Sequence, residues 1–271
     1  MTARTVLEGS LSVLLCSTCF VGCERAPGEP AHTVDLPPPA PVTEEPTGSA
    51  VESPAAREER SPEDVTVRVD TVPVPGDLPV FVLRGGRGNK RMVFLHGHCS
   101  HGLGYVQSFQ RAAARHGTVV AVQGNKACAN GSFREWTDTP ERLDRRIESA
   151  FRAMGDPGPL TGLAVLGYSS GAVLAEMLAH KAPERYAYVV LIGGPKKPAE
   201  WRLRRTRSSV TLAGERDRQD LMQRGARDLH ASGIPSAFFV LPGAKHGQMG
   251  PDAEPVMARA LDWLWDNERS L

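Results

Sequence analysis

The chain is short of several things at once. Its longest largely apolar run, residues 11–22, is about a dozen residues, where a helix crossing a bilayer needs about 20, so this run does not span a membrane as a mature helix. Charge of one sign is missing too. With 32 basic and 31 acidic residues the formal net charge is +1, which gives no basis for a nucleic-acid partner. No internal repeat occurs, which argues against a solenoid or propeller. Aromatic residues make up 6% and there are five cysteines in 271 residues. What is present is 41% hydrophobic residues, ordinary for one soluble globular domain with appendages.

The appendages lie at the N-terminus. Residues 11–22 fit the apolar core of a signal peptide. They end at Phe20-Val21-Gly22-Cys23, which resembles a bacterial lipobox. That resemblance implies a signal peptide over 1–22, a Cys23 that is lipidated as the new N-terminus, and a protein anchored to a membrane of the cell envelope; ordinary secretion is the alternative. Residues 23–64 are then rich in proline and glutamate, with Pro37-Pro38-Pro39 and almost no aromatic residue, and cannot bury enough surface to offset ordering entropy. They are expected to form a disordered tether of roughly 35 Å as a coil and at most about 120 Å extended. Residues 24–64 hold ten carboxylates against three arginines, a net of −7, which leaves +8 on the remainder.

Within 65–271 the most informative stretch is Gly167-Tyr168-Ser169-Ser170-Gly171, between strand formers at 163–166 and a helix-forming run at 172–180. Glycines there permit a strained strand-to-helix turn that lifts a serine hydroxyl clear of the backbone, above the unpaired N–H groups of a helix N-terminus. Ser169 is thus a candidate nucleophile. Serine needs a base, and the base a third group to fix its tautomer. Downstream, the strand-like Val210-Thr211-Leu212-Ala213 runs into Gly214-Glu215-Arg216-Asp217, and Ala237-Phe238-Phe239-Val240-Leu241 into the loop holding His246. Asp217 is the candidate acid, with Glu215 as its substitute and Asp220 a more distant competitor. His246 is the candidate base; His180 and His230 close expected helices, and His32 lies in the tether.

The order serine, aspartate, histidine, each just after a strand, resembles the α/β-hydrolase superfamily over about residue 65 to the C-terminus. The resemblance implies an α/β fold, a mainly parallel eight-stranded sheet flanked by helices, with a minimal cap. It implies a serine hydrolase working through an acyl-enzyme, most readily an esterase on a small-molecule ester, with no metal and no cofactor. A peptidase or thioesterase of the same fold, or a non-catalytic envelope binding protein on a hydrolase scaffold, are the other readings. Met92-Val93-Phe94-Leu95 followed by His96-Gly97-His98 is similar to the superfamily's oxyanion strand, which makes the backbone amides of His98 and Ser170 the expected oxyanion donors.

Other residues admit competing readings. His96, His98 and His101 resemble the zinc signature of metallo-β-lactamase-like hydrolases, but Ser100 stands where that pattern wants aspartate, so loop residues around an oxyanion hole are the favoured reading. Trp136 and Phe133 are either acyl-pocket residues or loop anchors. Lys196, Lys197, Arg202, Arg204, Arg205 and Arg207 fall where the superfamily inserts a cap, either as an anion-attracting rim or, preferably, as a solvated helix. Once a signal peptide is removed and Cys23 lipidated, Cys99 and Cys128 remain. The superfamily's strand order makes the strands before them neighbours, so in an oxidising envelope a disulfide between them is expected. Strands are expected near 65–70, 79–83, 91–95, 118–122, 162–167, 187–193, 209–213 and 236–241, and helices near 104–116, 139–154, 170–182, 218–232 and 253–267.

Overall fold

The central strands have no polar face. In the computed structural model, which describes residues 67–86, 88–129 and 131–271, every residue of two successive strands is buried, and so are the last four of the strand that ends at Leu95. Strands buried on both sides belong in a parallel sheet covered by helices on each face. The expected signal segment 1–22, the lipidation site Cys23 and the tether 23–64 lie outside the described residues.

In chain order the elements are β1 (Val69–Val72), β2 (Val80–Leu83), β3 (Lys90–Leu95), α1 (Gly102–Gln107), α2 (Gln110–His116), β4 (Gly117–Val122), β5 (Lys126–Ala127), β6 (Arg134–Glu135), α3 (Pro140–Ala153), β7 (Ala164–Tyr168), α4 (Ser170–Lys181), β8 (Tyr188–Ile192), α5 (Glu200–Leu203), β9 (Ser208–Arg216), α6 (Gln219–Ala231), β10 (Ser236–Lys245) and α7 (Ala253–Asp266). Eight strands form one sheet in the order β1-β2-β4-β3-β7-β8-β9-β10. β1 and β2 pair antiparallel, β2 meets β4 antiparallel, and the rest are parallel.

Alternation along the strands divides the core into two layers. Met92 and Phe94 of β3 pack with Val106, Phe109 and the α7 residues Met257 and Leu261; Val93 and Leu95 face Leu143, Ile147 and Phe151 of α3 and Leu178 of α4. Local chemistry agrees with the boundaries. Thr139 accepts the Arg142 N–H in front of α3, Pro140 opens that helix, Glu141 lies in its first turn and Arg152 in its last.

The helix expected over 104–116 is two helices. Ser108 turns its hydroxyl back onto the Tyr105 carbonyl at 2.6 Å, and the chain restarts at Gln110. The open N–H groups of Arg111 and Ala112 are taken by the two carboxylate oxygens of Glu254, at 2.9 and 2.8 Å. A cap from 142 residues away leaves no trace in local sequence. Other expected elements shift only at their ends: β1 starts at Val69, and β9 and β10 run on to Arg216 and Lys245. No helix among the described residues is long and apolar enough to cross a membrane.

Candidate active site

β7 ends at Tyr168, and Ser169 turns into α4 with φ 52° and ψ −115°, a left-handed conformation costly for a side chain with a Cβ. The flanking glycines make the turn possible by close approach. A Cβ on Gly167 would lie 2.3 Å from the Gly171 carbonyl oxygen, and one on Gly171 would lie 2.1 Å from that of Leu95. The turn is further held by the Ser169 N–H, which donates to the Ile192 carbonyl at 2.8 Å.

His246 arrives from the far side of the sheet. The pairing of β10 with β9 shifts register between Leu241 and Lys245, and this irregularity re-aims the chain just before His246. Its Nε2 stands 3.0 Å from Ser169 Oγ and its Nδ1 2.8 Å from Asp217 Oδ2. Asp217 also accepts the Arg218 N–H at 2.7 Å, and its side chain is only 9% exposed. Gly193, at φ +54°, makes room for that carboxylate: a Cβ there would approach Asp217 Oδ2 to 3.1 Å. Glu215, the substitute acid, instead accepts the Gly243 N–H at 2.7 Å and pins the β10 irregularity. The three residues singled out by chain order are therefore brought together, with Nδ1–H of His246 facing the carboxylate and Nε2 free to accept from serine.

Opposite them, β3 delivers His96-Gly97-His98. A Cβ on Gly97 would lie 3.3 Å from Ser169 Cβ, so this turn packs directly on the serine. Among the described residues neither the His98 N–H nor the Ser170 N–H has an intramolecular acceptor, so both remain free to donate.

His96 has another task. Its ring is wholly buried; Nε2 accepts the Gly124 N–H at 2.9 Å, so the proton is on Nδ1 and is donated to the Gly97 carbonyl at 2.7 Å. Burial pushes its pKa down to about 4, with the charges of His101, Arg146 and Arg134 adding to the effect against the Gly97 hydrogen bond. Trp136 packs on this ring at 4.7 Å and donates from Nε1 to the His96 carbonyl at 2.8 Å. Of its two sequence readings, Trp136 is thus a loop anchor; Phe133 stacks on His101 at 5.6 Å and is 38% exposed. The imidazoles of His96, His98 and His101 go three ways, into the core, toward Glu135 and onto Phe133, and do not converge on a common point.

Three features were missed in the sequence. The Tyr168 hydroxyl accepts the Gly247 N–H at 2.7 Å, while Tyr105 donates to the Gly247 carbonyl at 3.2 Å and stacks on Tyr168 at 4.7 Å. The two phenols clamp the residue next to His246. Burial, above all, raises the Tyr168 pKa to about 12, so it stays a neutral phenol. Arg146 is the second: it binds Asp77 through two bonds at 2.7 and 2.9 Å, Asp138 at 2.6 Å and the Gln123 carbonyl at 2.8 Å, tying the loop after β4 to α3 and to the β1–β2 connection. The position of Tyr168 beside the serine was a signal within reach; the Arg146 network was not. The third is the pairing of the basic segment: Lys197 meets Asp228, Arg202 Glu176, Arg205 Glu184 and Arg207 Glu268. That segment runs from β8 to the start of β9, and its pairings agree with a solvated connection rather than a charged rim.

Cys99 and Cys128 are joined by a disulfide with Cα atoms 5.8 Å apart. It links the loop after β3 to the small β5–β6 sheet, and Ser100 bridges to Arg134 beside it.

No family model matches this chain. In sequence it is 27% identical over 215 residues to NocK of Nocardia uniformis subsp. tsuyamanensis, a protein provisionally named an esterase; the match covers 71% of this chain and 58% of that one, so the chain spans little more than half the length of this relative. In structure it is similar to TT1662 from Thermus thermophilus, with TM-score 0.53 and 20% identity over 73% of this chain and 98% of that one. It is likewise similar to esterase PE8, with TM-score 0.52 and 15% identity over 74% of this chain and all of that one. The fold is the α/β-hydrolase fold, as the sequence resemblance implied.

Proposed function

We propose that the chain is a serine hydrolase that cleaves carboxylic esters through an acyl-enzyme. The observation that carries this reading is the unbroken chain Ser169 Oγ, His246, Asp217 at 3.0 and 2.8 Å, with Ser169 on a strained turn. In this mechanism Ser169 Oγ attacks the ester carbonyl carbon and its proton passes to His246 Nε2. Asp217 holds the Nδ1–H tautomer and stabilises the imidazolium that forms. The oxygen that becomes negative sits between the N–H groups of His98 and Ser170, donors fixed before reaction and worth roughly 3 to 4 kcal/mol apiece. The tetrahedral species collapses as His246 returns the proton to the leaving alcohol, and water repeats the sequence to free the acid. The name of NocK agrees with an ester substrate.

The test is covalent labelling with a fluorophosphonate probe. Wild-type protein should label at Ser169 and Ser169→Ala should not. Ser169→Ala, His246→Ala and Asp217→Asn should each lower hydrolysis of a soluble ester roughly a thousandfold or more while circular dichroism stays unchanged. A folded protein that fails to label would instead be a binding protein on a hydrolase scaffold. Cellular placement belongs to the same proposal: export, removal of residues 1–22 and lipidation of Cys23, leaving the domain on its 23–64 tether. Intact mass of protein from membranes should show acyl chains on Cys23, and an N-terminus still at Met1 would refute it.

A further inference from the structure

Beside the proposed site is a second cluster of reactive side chains that ester hydrolysis does not use. His98 Nε2 lies 3.4 Å from Cys99 Sγ, and its Nδ1 lies 3.3 Å from Glu135 Oε2. The ligand atoms of His98, Cys99 and Glu135 all fall within 4.8 Å of one another, and Cys128 is bonded to Cys99. We infer that reducing the Cys99–Cys128 bond turns this cluster into a zinc-class metal site with Cys99, Cys128 and His98 as ligands and Glu135 as the carboxylate that orients the imidazole.

The geometry supports each part. Zn–S of about 2.3 Å and Zn–N of about 2.0 to 2.1 Å at a tetrahedral angle put sulfur and nitrogen about 3.5 Å apart, close to the separation that Cys99 and His98 already have. A metal-bound histidine usually gives its other N–H to a carboxylate, and Glu135 is at that nitrogen. Three protein ligands leave the fourth position to water. The sulfurs must separate on reduction, but their backbones are held independently of the bond. Ser100 and Arg134 exchange two hydrogen bonds of 3.1 and 2.9 Å, the Cys128 N–H donates to Phe133 at 2.9 Å, and β5 pairs with β6. The His98 side chain is 67% exposed, so reductant and metal reach the cluster from solvent.

The chemistry balances with a dithiol as reductant. Its two thiolates attack the bond in turn, two electrons pass to the cystine, the dithiol leaves as its own disulfide, and Cys99 and Cys128 become thiols. A divalent ion then displaces two thiol protons to solvent. On the proposed function this matters, because the His98 amide is an oxyanion donor and a metal-held His98 would restrain it; the binding itself does not depend on that function.

The experiment uses the full chain carrying Cys16→Ser, Cys19→Ser and Cys23→Ser, so that Cys99 and Cys128 are its two cysteines, reduced anaerobically with a trialkylphosphine, which takes the oxygen of water, leaves both thiols protonated and binds cobalt weakly. After its removal, cobalt(II) chloride is added. One cobalt per chain should bind, with thiolate-to-cobalt charge transfer in the near ultraviolet and tetrahedral d–d bands in the visible, and zinc should erase the visible bands. The oxidised chain and Cys128→Ser should give no such spectrum, and Glu135→Gln and His98→Gln should each weaken binding by about 10- to 100-fold. Absence of the spectrum in reduced chain would overturn the inference. So would equal affinity in His98→Gln, which would mean a bare pair of thiolates, or loss of the folded circular dichroism on reduction, since the scaffold argument would then be wrong.

Discussion

Acidification should destabilise this domain through His96, in amounts that its surroundings fix. The ring is fully buried, donates from Nδ1 to Gly97 and accepts at Nε2 from Gly124, so a second proton would point a donor at a donor. Burial lowers its pKa from 6.5 to about 4. Between those values the unfolded chain holds a proton there that the native chain does not, so native stability rises with pH across this window. The contribution is complete above about pH 6.5, falls away as pH drops toward 4, and levels off below 4 where both states are protonated. At 1.36 kcal/mol per pH unit for one proton, the loss over the window is about 3 kcal/mol, a large share of the roughly 5 to 15 kcal/mol by which domains are stable. Urea unfolding at pH 7.5, 6, 5 and 4.5, for wild type and for His96→Gln, measures this. His116, whose pKa is also lowered chiefly by burial, tilts both proteins alike, so the difference isolates His96. The variant should start less stable at pH 7.5 and lose less on acidification, with a slope lower by up to one proton. Parallel slopes would refute a neutral His96 in the native state.

Tyr168→Phe removes the acceptor for the Gly247 N–H, so kcat on a soluble ester should fall about tenfold with KM little changed, and stability by about 1 kcal/mol; an unchanged kcat would mean that Tyr105 alone holds the loop. Opening the Cys99–Cys128 bond, which closes a sequence separation of 29, should cost up to about 3 to 4 kcal/mol in the chain-entropy account. Activity measured with a metal chelator present should fade at temperatures where far-ultraviolet circular dichroism still reports a folded domain; coincident loss of both would place the bond in the global fold instead. Gly171→Ala should yield no soluble native protein, because its Cβ would lie 2.1 Å from the Leu95 carbonyl oxygen, backbone that cannot yield; a folded, active variant, read by gel filtration and turnover, would contradict the tight turn.

Much of the fold was legible because its strands advertise themselves. A strand buried on both faces must be continuously apolar, and β7 and β8 are; glycines must sit where backbone approaches backbone, and Gly167 and Gly171 do. Ser169, Asp217 and His246 were legible for a related reason: strand ends can be located, and a parallel sheet brings the C-terminal ends together. What the sequence hid was set by partners distant along the chain. The break between α1 and α2 is stabilised by Glu254, and the loop behind His96 is held by Arg146 on another helix. Long-range polar contacts carry no periodicity, so no local window registers them.

Charge was ambiguous in the sequence, and the pairing seen in three dimensions agrees with the reading that was preferred there. Six basic residues in 196–207 allowed either a field at the mouth of the site or, preferably, a solvated helix. Four of them meet a carboxylate, and partnered surface charges produce little field beyond a Debye length of about 8 Å at physiological salt. On the proposed function, selection among substrates then falls to the loops beside Ser169. On the β3 side these are the turn held by His96 and Trp136 and the disulfide-tied segment presenting Phe133; on the other is the histidine loop gripped by Tyr168 and Tyr105. The His96 turn and the histidine loop are held by aromatic rings and neutral hydrogen bonds and the third segment by a disulfide, none of which salt screens. Ionic strength should therefore have little effect on kcat/KM for a neutral ester, and a steep salt dependence would return the basic segment to the site.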